Sequence, residues 1–252
     1  MSSLEVIKSL RERTGASLQA CKKALDETNG NEETAIEVLR KSGEAKAASR
    51  SDRETNEGVI ATAIEGGKAV ILKLNCETDF VAKNPEFIEA AEKISKEYLS
   101  KGESHDPSSY LNELGLKMGE KISMGDVKFL EAPTIGDYIH SNRKLGALIA
   151  MEGGTVDMAR DIAMHTTAMN PRVLSPEEVS ETLVEKEKEI WTEQLKNEGK
   201  PAEIMSKILA GKEKKFREEN ALLKQAFVKN PDQSIEQVLS GAQIKGFVRL
   251  GA

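Results

Sequence analysis

The sequence is poor in the residues that build covalent or metal-dependent active sites. It contains only two cysteines and three histidines, and no histidine and cysteine have the spacing of zinc ligands. Cys21 and Cys76 lie far apart, so we expect no disulfide framework and a reducing, cytoplasmic location. Neither a phosphate-binding glycine loop nor a G-x-S-x-G nucleophile motif is present. We therefore expect no enzyme chemistry, no cofactor and no metal ion.

The sequence also lacks an excess of positive charge and any long apolar run. The formal net charge is −6, which argues against sequence-independent binding to nucleic acid, because that requires a basic surface. No apolar run approaches the roughly 20 residues of a membrane-spanning helix, and the first residues resemble no targeting peptide. Aromatic residues make up 4% and charged residues 31%, which favours helical surfaces over a β-sandwich. We expect no nucleic-acid partner and no membrane contact.

Residues 3–42 have the apolar spacing of three short helices. Gly15 ends the first helix, and Ser17 and Asn31 are expected to cap the second and third. The three apolar stripes are Leu4, Ile7 and Leu10; Leu18, Cys21 and Leu25; and Ala35, Ile36 and Leu39. The pattern resembles a ubiquitin-associated domain, whose small core suits a unit that presents one face to a partner.

From Gly58 the apolar period becomes that of strands. Residues 59–64 and 69–74 flank Gly66-Gly67 and predict a β-hairpin, and Asn84-Pro85 then begins a helix. A second apolar run, 145–151, is followed by another Glu-Gly-Gly and, later, by an Ala-x-Asn-Pro at 168–171 that matches residues 82–85. This recurrence predicts two related α+β subdomains from an internal duplication, with chance similarity as the alternative.

Residues 177–229 are polar, with apolar residues at helical spacing. A break at 197–201 divides two predicted helices, marked by Val179, Leu183, Ile190 and Leu195 and by Leu209, Phe216 and Leu223. Two such helices with narrow apolar seams predict a protruding antiparallel coiled-coil hairpin that packs against another molecule. A hairpin folded on its own core is the alternative.

One run stands between the predicted hairpin and the helix after it: Thr78, Asp79, Phe80, Val81, Ala82, Lys83 and Asn84. From residue type alone, Phe80 belongs in a core and Asp79 caps the next helix. With Leu-Arg-Glu-Arg-Thr-Gly-Ala at 10–16 and Cys-Lys-Lys-Ala-Leu at 21–25, however, the run resembles the elongation factor Ts family. The resemblance extends along nearly the whole chain.

The resemblance implies a translation factor that exchanges guanine nucleotide on elongation factor Tu. Such a factor binds the GDP-bound protein, accelerates GDP release and holds the nucleotide-free form until GTP binds. The family presents the phenylalanine that matches Phe80 to the partner's G domain, as a wedge between helices near the magnesium and phosphate site. Exchange of this kind involves no covalent chemistry, so the chain is not expected to be an enzyme.

Beyond residues 78–84, the resemblance assigns partner contacts to seven more residues: Arg11, Leu18, Lys22, Leu145, Gly146, His165 and Val228. Residues 199–201 and 222–228 resemble the family's helical hairpin and its exit, which contacts either a second copy, giving a homodimer, or the partner. The family usually continues beyond residues 246–249 into a further helix, whereas this sequence stops at Ala252. We expect exchange to survive with weaker binding.

The fold expected is α+β, with an N-terminal ubiquitin-associated-like three-helix domain, two duplicated subdomains with antiparallel sheets and an inserted helical hairpin. The bounds are 1–43 for the three-helix domain, 44–57 for a linker, 58–132 for the core N-subdomain, 133–176 and 230–252 for the two parts of the C-subdomain, and 177–229 for the hairpin. Two other functions stay open. One is a non-catalytic adaptor with Phe80 in its core, and the other is a thiol enzyme centred on Cys76.

Overall fold

The computed structural model describes residues 4–14, 16, 18–48, 50 and 52–252, apart from the side chains of 44–48. The chain divides into two compact units, of which the first comprises Met1–Ala63, Val70–Lys128 and Leu250–Ala252. The second comprises Ile64–Ala69 and Phe129–Arg249. The chain therefore passes between the units several times.

The first unit begins with helices α1 (Leu4–Thr14), α2 (Leu18–Glu27) and α3 (Glu32–Ala48). Their shared core includes Leu10, Cys21 and Leu25, all fully buried. The Asn31 side chain accepts a hydrogen bond from the Thr34 N–H at 3.1 Å, which confirms the predicted cap of α3. Leu4 and Leu18 were expected on the buried stripes but are exposed. The predictions for Gly15 and Ser17 fall outside the described residues.

The rest of the first unit is built on a sheet in the order β1-β2-β3. Strands β1 (Glu57–Glu65) and β2 (Lys68–Cys76) are followed by helices α4 (Asp79–Ala82), α5 (Pro85–Lys101) and α6 (Ser108–Met118) and strand β3 (Ser123–Glu131). Gly66 and Gly67 join β1 to β2 with φ of 57° and 79°, as a tight primed turn requires. The predicted hairpin and the helix that begins at Pro85 are thus confirmed.

The second unit is built on a sheet in the order β4-β5-β8. Strands β4 (Thr134–Ile139) and β5 (Leu145–Glu152) pair antiparallel, and helix α7 (Val156–Met169) packs on them. Gly136 permits this packing, because a Cβ at that position would lie 2.3 Å from the backbone nitrogen of Arg160. Helices α8 (Glu181–Asn197) and α9 (Ala202–Asn220), strands β6 (Ala226–Phe227) and β7 (Asn230–Ser234), helix α10 (Ile235–Val238) and strand β8 (Gln243–Gly251) complete it.

The two sheets have the same order of elements, although the repeated motifs do not occupy equivalent places. In each unit two neighbouring strands lead into a helix, and a later strand completes the sheet on the same side. The first Glu-Gly-Gly, however, joins β1 to β2, whereas the second joins β5 to α7. The strand equivalent to β5 is therefore β2, not β1. Helices beside small antiparallel sheets make the fold α+β, as predicted.

Helices α8 and α9 form the predicted hairpin, with corrections to its seam. Val184 and Leu195 are buried, and the ring of Trp191 packs edge-on against Phe216. Ile190 was expected on the seam but is half exposed. Leu223 lies beyond α9, because the backbone of Leu222 and Leu223 instead bonds to the carbonyls of 173 and 174. Among the described residues, no helix has both the length and the apolar character needed to cross a membrane.

Candidate functional site

Among the described residues of the first unit, the most exposed large apolar side chain lies on helix α4. Phe80 is 83% exposed, whereas its neighbours Val81 and Ala82 are buried, with exposed fractions of only 9% and 4%. A phenylalanine left in water forgoes about 1.5 to 3 kcal/mol of burial. The four-residue helix is therefore anchored by two small apolar side chains, and its aromatic ring is left exposed to solvent. The prediction from residue type alone, that Phe80 belongs to the core, is wrong.

Local hydrogen bonds fix both ends of the Phe80 turn, meaning residues 78–84. Thr78 caps α4 by accepting from the Val81 N–H at 3.4 Å, and Asn84 caps α5 by accepting from the Glu86 N–H at 2.9 Å. The Lys83 ammonium donates to the Asp79 carboxylate at 2.6 Å. This hydrogen bond lowers the pKa of Asp79 and raises that of Lys83. The turn thus carries an ionised acid beside an exposed ring.

Two acidic residues brace the turn from the rest of the first unit. The Glu120 carboxylate accepts from the backbone N–H groups of Glu77 and Thr78 at 3.0 and 3.1 Å and from the Thr78 hydroxyl at 2.5 Å. Glu77 in turn accepts from the Lys121 N–H at 2.5 Å, which lowers the pKa of Glu77. Glu120 was not among the predicted site residues, because nothing near it in sequence signals a partner 42 residues away.

Cys76 lies directly beneath the turn. Its side chain is fully buried and its Sγ donates to the carbonyl oxygen of Thr78 at 3.2 Å. A reactive thiol needs partial exposure and a positive neighbour that stabilises the thiolate. A buried thiol that donates to a carbonyl is instead a structural residue, so the arrangement gives no support to a thiol enzyme centred on Cys76.

Two of the predicted contact segments meet at one cleft of about 660 Å³. Arg11 from α1 and Asn84 from the Phe80 turn both line it, and its other lining residues are Lys8, Glu12, Glu86, Lys117 and Met118. Lys117 pairs with Glu86 across the cleft wall. Leu18, which is 49% exposed, and Lys22 lie one turn apart on the outer face of α2. The first unit thereby presents charged, apolar and aromatic groups on its surface.

The second unit brings His165 and Val228 together. His165 is buried on α7, its Nδ1 accepts from the Val228 N–H at 3.3 Å, and its Nε2 lies 3.0 Å from Oε1 of Gln225. Because Nδ1 accepts, the ring proton resides on Nε2 and is donated to Gln225. Val228 itself is 37% exposed. His165 therefore supports the segment that carries Val228, while Val228 is the accessible member of the pair.

Leu145 and Gly146, the other predicted residues of this unit, lie at the start of β5. The carbonyl oxygen of Leu145 accepts from the His140 N–H at 2.8 Å, and Gly146 pairs with Ile139 of β4. Leu145 is half buried and Gly146 is buried. The side chain of Leu145 is thus the partly accessible part of this step.

Burial of His165 predicts a loss of stability in acid. Desolvation lowers the pKa of His165 below its usual 6.5, so the unfolded chain binds the proton more tightly than the folded chain does. The free energy of unfolding should therefore be highest above about pH 6.5 and fall towards about pH 5, by at most about 1.4 kcal/mol per pH unit. Denaturant unfolding of the wild type and of His165→Gln checks this.

The variant isolates the contribution of this histidine. His165→Gln keeps a polar side chain but does not titrate, so the difference in unfolding free energy between the two proteins should shrink as the pH falls. A difference that stays constant from about pH 7 to about pH 5 would contradict the assignment of a neutral, buried imidazole.

Comparison with known proteins gives a consistent result. A family model described as Elongation factor TS matches residues 77–252, an interval that includes the Phe80 turn. The elongation factor Ts of Marinobacter nauticus is 43% identical over an alignment of 256 positions, which covers 97% of this chain and 89% of the relative. That of Deinococcus deserti is 39% identical over 259 aligned positions, which cover 98% of each chain. That of Francisella tularensis subsp. novicida is 42% identical over 263 aligned positions, which cover 98% of this chain and 91% of the relative.

Proposed function

The chain belongs to the elongation factor Ts family of translation factors, and on that premise we propose that it accelerates the release of GDP from elongation factor Tu. It binds the GDP-bound partner, stabilises the nucleotide-free form and leaves when GTP binds. No bond in the nucleotide or in the protein is made or broken, so the activity is exchange and not enzyme chemistry.

The observation that carries this proposal is the exposure of Phe80. The Phe80 ring is 83% exposed on a helix that the buried Val81 and Ala82 anchor. A large aromatic side chain in this position is suited to insert into another protein. Asp79 beside it supplies a negative charge that can compete for positive groups or for magnesium coordination in a nucleotide site. The adaptor hypothesis, by contrast, predicts that Phe80 lies in the core. The exposure of Phe80 does not support that prediction.

Exchange of this kind works through differential binding. A side chain that fits only the nucleotide-free arrangement of the partner raises the free energy of the nucleotide-bound complex. The coupling is reciprocal, so GDP must weaken the grip of the factor by the same ratio. A thousandfold coupling needs about 4 kcal/mol, and burying one phenylalanine supplies about 1.5 to 3 kcal/mol. The remainder must come from other contacts, of which loss of magnesium coordination is the natural one.

The other surfaces supply affinity in this proposal. Arg11, Leu18 and Lys22 of the N-terminal helices dock on the G domain of the partner, and Leu145 and Val228 of the second unit contact another of its domains. His165 acts through Val228. The hairpin of α8 and α9, on which Ile190 and Ile204 are half exposed, contacts either a second copy or the partner. The domain bounds predicted from the sequence are kept as part of this proposal.

Stopped-flow release of a fluorescent GDP from elongation factor Tu tests the proposed function. Adding the chain should accelerate release by orders of magnitude and in a saturable way, because release then proceeds through a ternary complex. Release that is no faster than the spontaneous rate at saturating chain, with binding demonstrated separately, would overturn the exchange function and favour an adaptor.

A further inference from the structure

Glu120 lies in the segment between α6 and β3, and its side chain is hydrogen-bonded to the start of the Phe80 turn. Gly119 ends α6 in the left-handed conformation, with φ of 80°, and Glu120 follows at once. A Cβ on Gly115 would lie 2.9 Å from the carbonyl oxygen of Glu120, so the backbone of residue 120 packs tightly on α6. The Glu120 carboxylate therefore projects from a fixed backbone.

One of the three hydrogen bonds to this carboxylate fixes which groups the Thr78 hydroxyl donates to and accepts from. That hydroxyl donates to Glu120 Oε1 at 2.5 Å, and a hydroxyl has only one proton to give. Its lone pairs are then left for the Val81 N–H, which is the cap of α4. Glu120 thus sets the direction of the capping hydrogen bond as well as holding the backbone that enters the helix.

The brace is reciprocal. While Glu120 accepts from the N–H groups of Glu77 and Thr78, the Glu77 carboxylate accepts from the Lys121 N–H and from the Arg53 guanidinium at 3.2 Å. Each acid thereby binds the backbone beside the other. The Phe80 ring is 83% exposed, so its direction depends on the backbone that these bonds fix.

We propose that Glu120 is a positioning residue for exchange, which rests on the function proposed above. It holds the Phe80 turn in the geometry that inserts into the partner, so that little conformational freedom is lost on binding. Glu120 touches neither nucleotide nor partner in this role. It acts through Phe80.

Glu120→Gln and Glu120→Ala distinguish positioning from charge. Glutamine keeps an oxygen for the two N–H groups, and its amide can donate to the Thr78 hydroxyl, which has a second lone pair. At saturating concentrations of Glu120→Gln, we expect the rate of GDP release from elongation factor Tu to be within about threefold of the rate with the wild type. With Glu120→Ala it should be about tenfold slower. Glu103→Ala, at an exposed surface glutamate between α5 and α6, is the matched control and should match the wild type.

A double variant tests whether Glu120 acts through the aromatic ring. In a Phe80→Ala background, Glu120→Ala should cause no further loss of release rate, because the group that it positions is absent. The same loss in both backgrounds would overturn the proposal and indicate an independent or merely structural role. A Glu120→Ala variant that accelerates GDP release from elongation factor Tu as much as the wild type does would also overturn the proposal.

Amide hydrogen exchange separates this proposal from the proposed function. In Glu120→Ala the amides of Glu77, Thr78 and Val81 should exchange faster than in the wild type, with the strands β1 and β2 unchanged. If the wild type did not accelerate GDP release, the proposed nucleotide-exchange function would fail. The protection of these three amides would still show whether Glu120 holds the backbone of the Phe80 turn. Unchanged protection of these three amides would overturn it.

Discussion

Phe80→Ala is expected to remove most of the exchange activity while leaving the protein folded. The side chain is 83% exposed, so its removal takes almost no buried area from the fold. In the complex the same ring contributes about 1.5 to 3 kcal/mol of burial in the nucleotide-free state alone. The rate of GDP release at saturating chain should therefore fall by about one to two orders of magnitude. Stopped-flow fluorescence measures it.

Circular dichroism and the denaturation midpoint serve as the control for Phe80→Ala. Both should match the wild type, because Val81 and Ala82 keep the anchor of α4. A folded variant that retains the wild-type rate would remove Phe80 from the mechanism. An unfolded variant would restore the adaptor hypothesis, which treats Phe80 as a core residue.

Phe87→Ala is expected to have the opposite effect. Phe87 lies in the first turn of α5, only seven residues after Phe80, and is fully buried. Truncating a buried phenylalanine costs about 3 to 5 kcal/mol, from lost burial and from the cavity left behind. The free energy of unfolding, measured by denaturant titration, should fall by that amount. Under conditions in which the variant is still folded, it should still accelerate GDP release from elongation factor Tu.

The two phenylalanines therefore form a matched pair. The same substitution in adjacent helices should separate activity from stability, since one ring faces solvent and the other faces the core. If Phe87→Ala proved as stable as the wild type, the burial of Phe87 would be contradicted. If Phe80→Ala instead lost several kcal/mol of stability, the exposure of its ring would be contradicted.

Local signals account for what could be predicted of the fold from the sequence. Gly66-Gly67 between two apolar runs, and Asn84-Pro85 before a helical stripe, determine a turn and a helix start through short-range sterics and capping. The seam of the hairpin was harder to predict. Ile190 is half exposed while Trp191 packs on Phe216, because the register of the facing helix decides which neighbour is covered.

The candidate site shows a sharper limit. Residue type alone placed Phe80 in a core, and only the resemblance to a family indicated a partner surface. The bonds from Glu120 to Thr78 span 42 residues and follow no local pattern, so no reading of the sequence could find them. His165 was assigned to a partner contact by resemblance, whereas its burial beneath Val228 follows from the packing of α7 against the segment after α9.

The most direct test of the central claim compares affinities of this chain for two forms of elongation factor Tu. Isothermal titration of the nucleotide-free form and of the GDP-bound form gives a ratio of dissociation constants for the wild type and for Phe80→Ala. We predict a wild-type ratio on the order of a thousandfold in favour of the nucleotide-free form, reduced at least about tenfold in the variant. An equal ratio in the two proteins would show that Phe80 does not couple the partner's nucleotide to the factor.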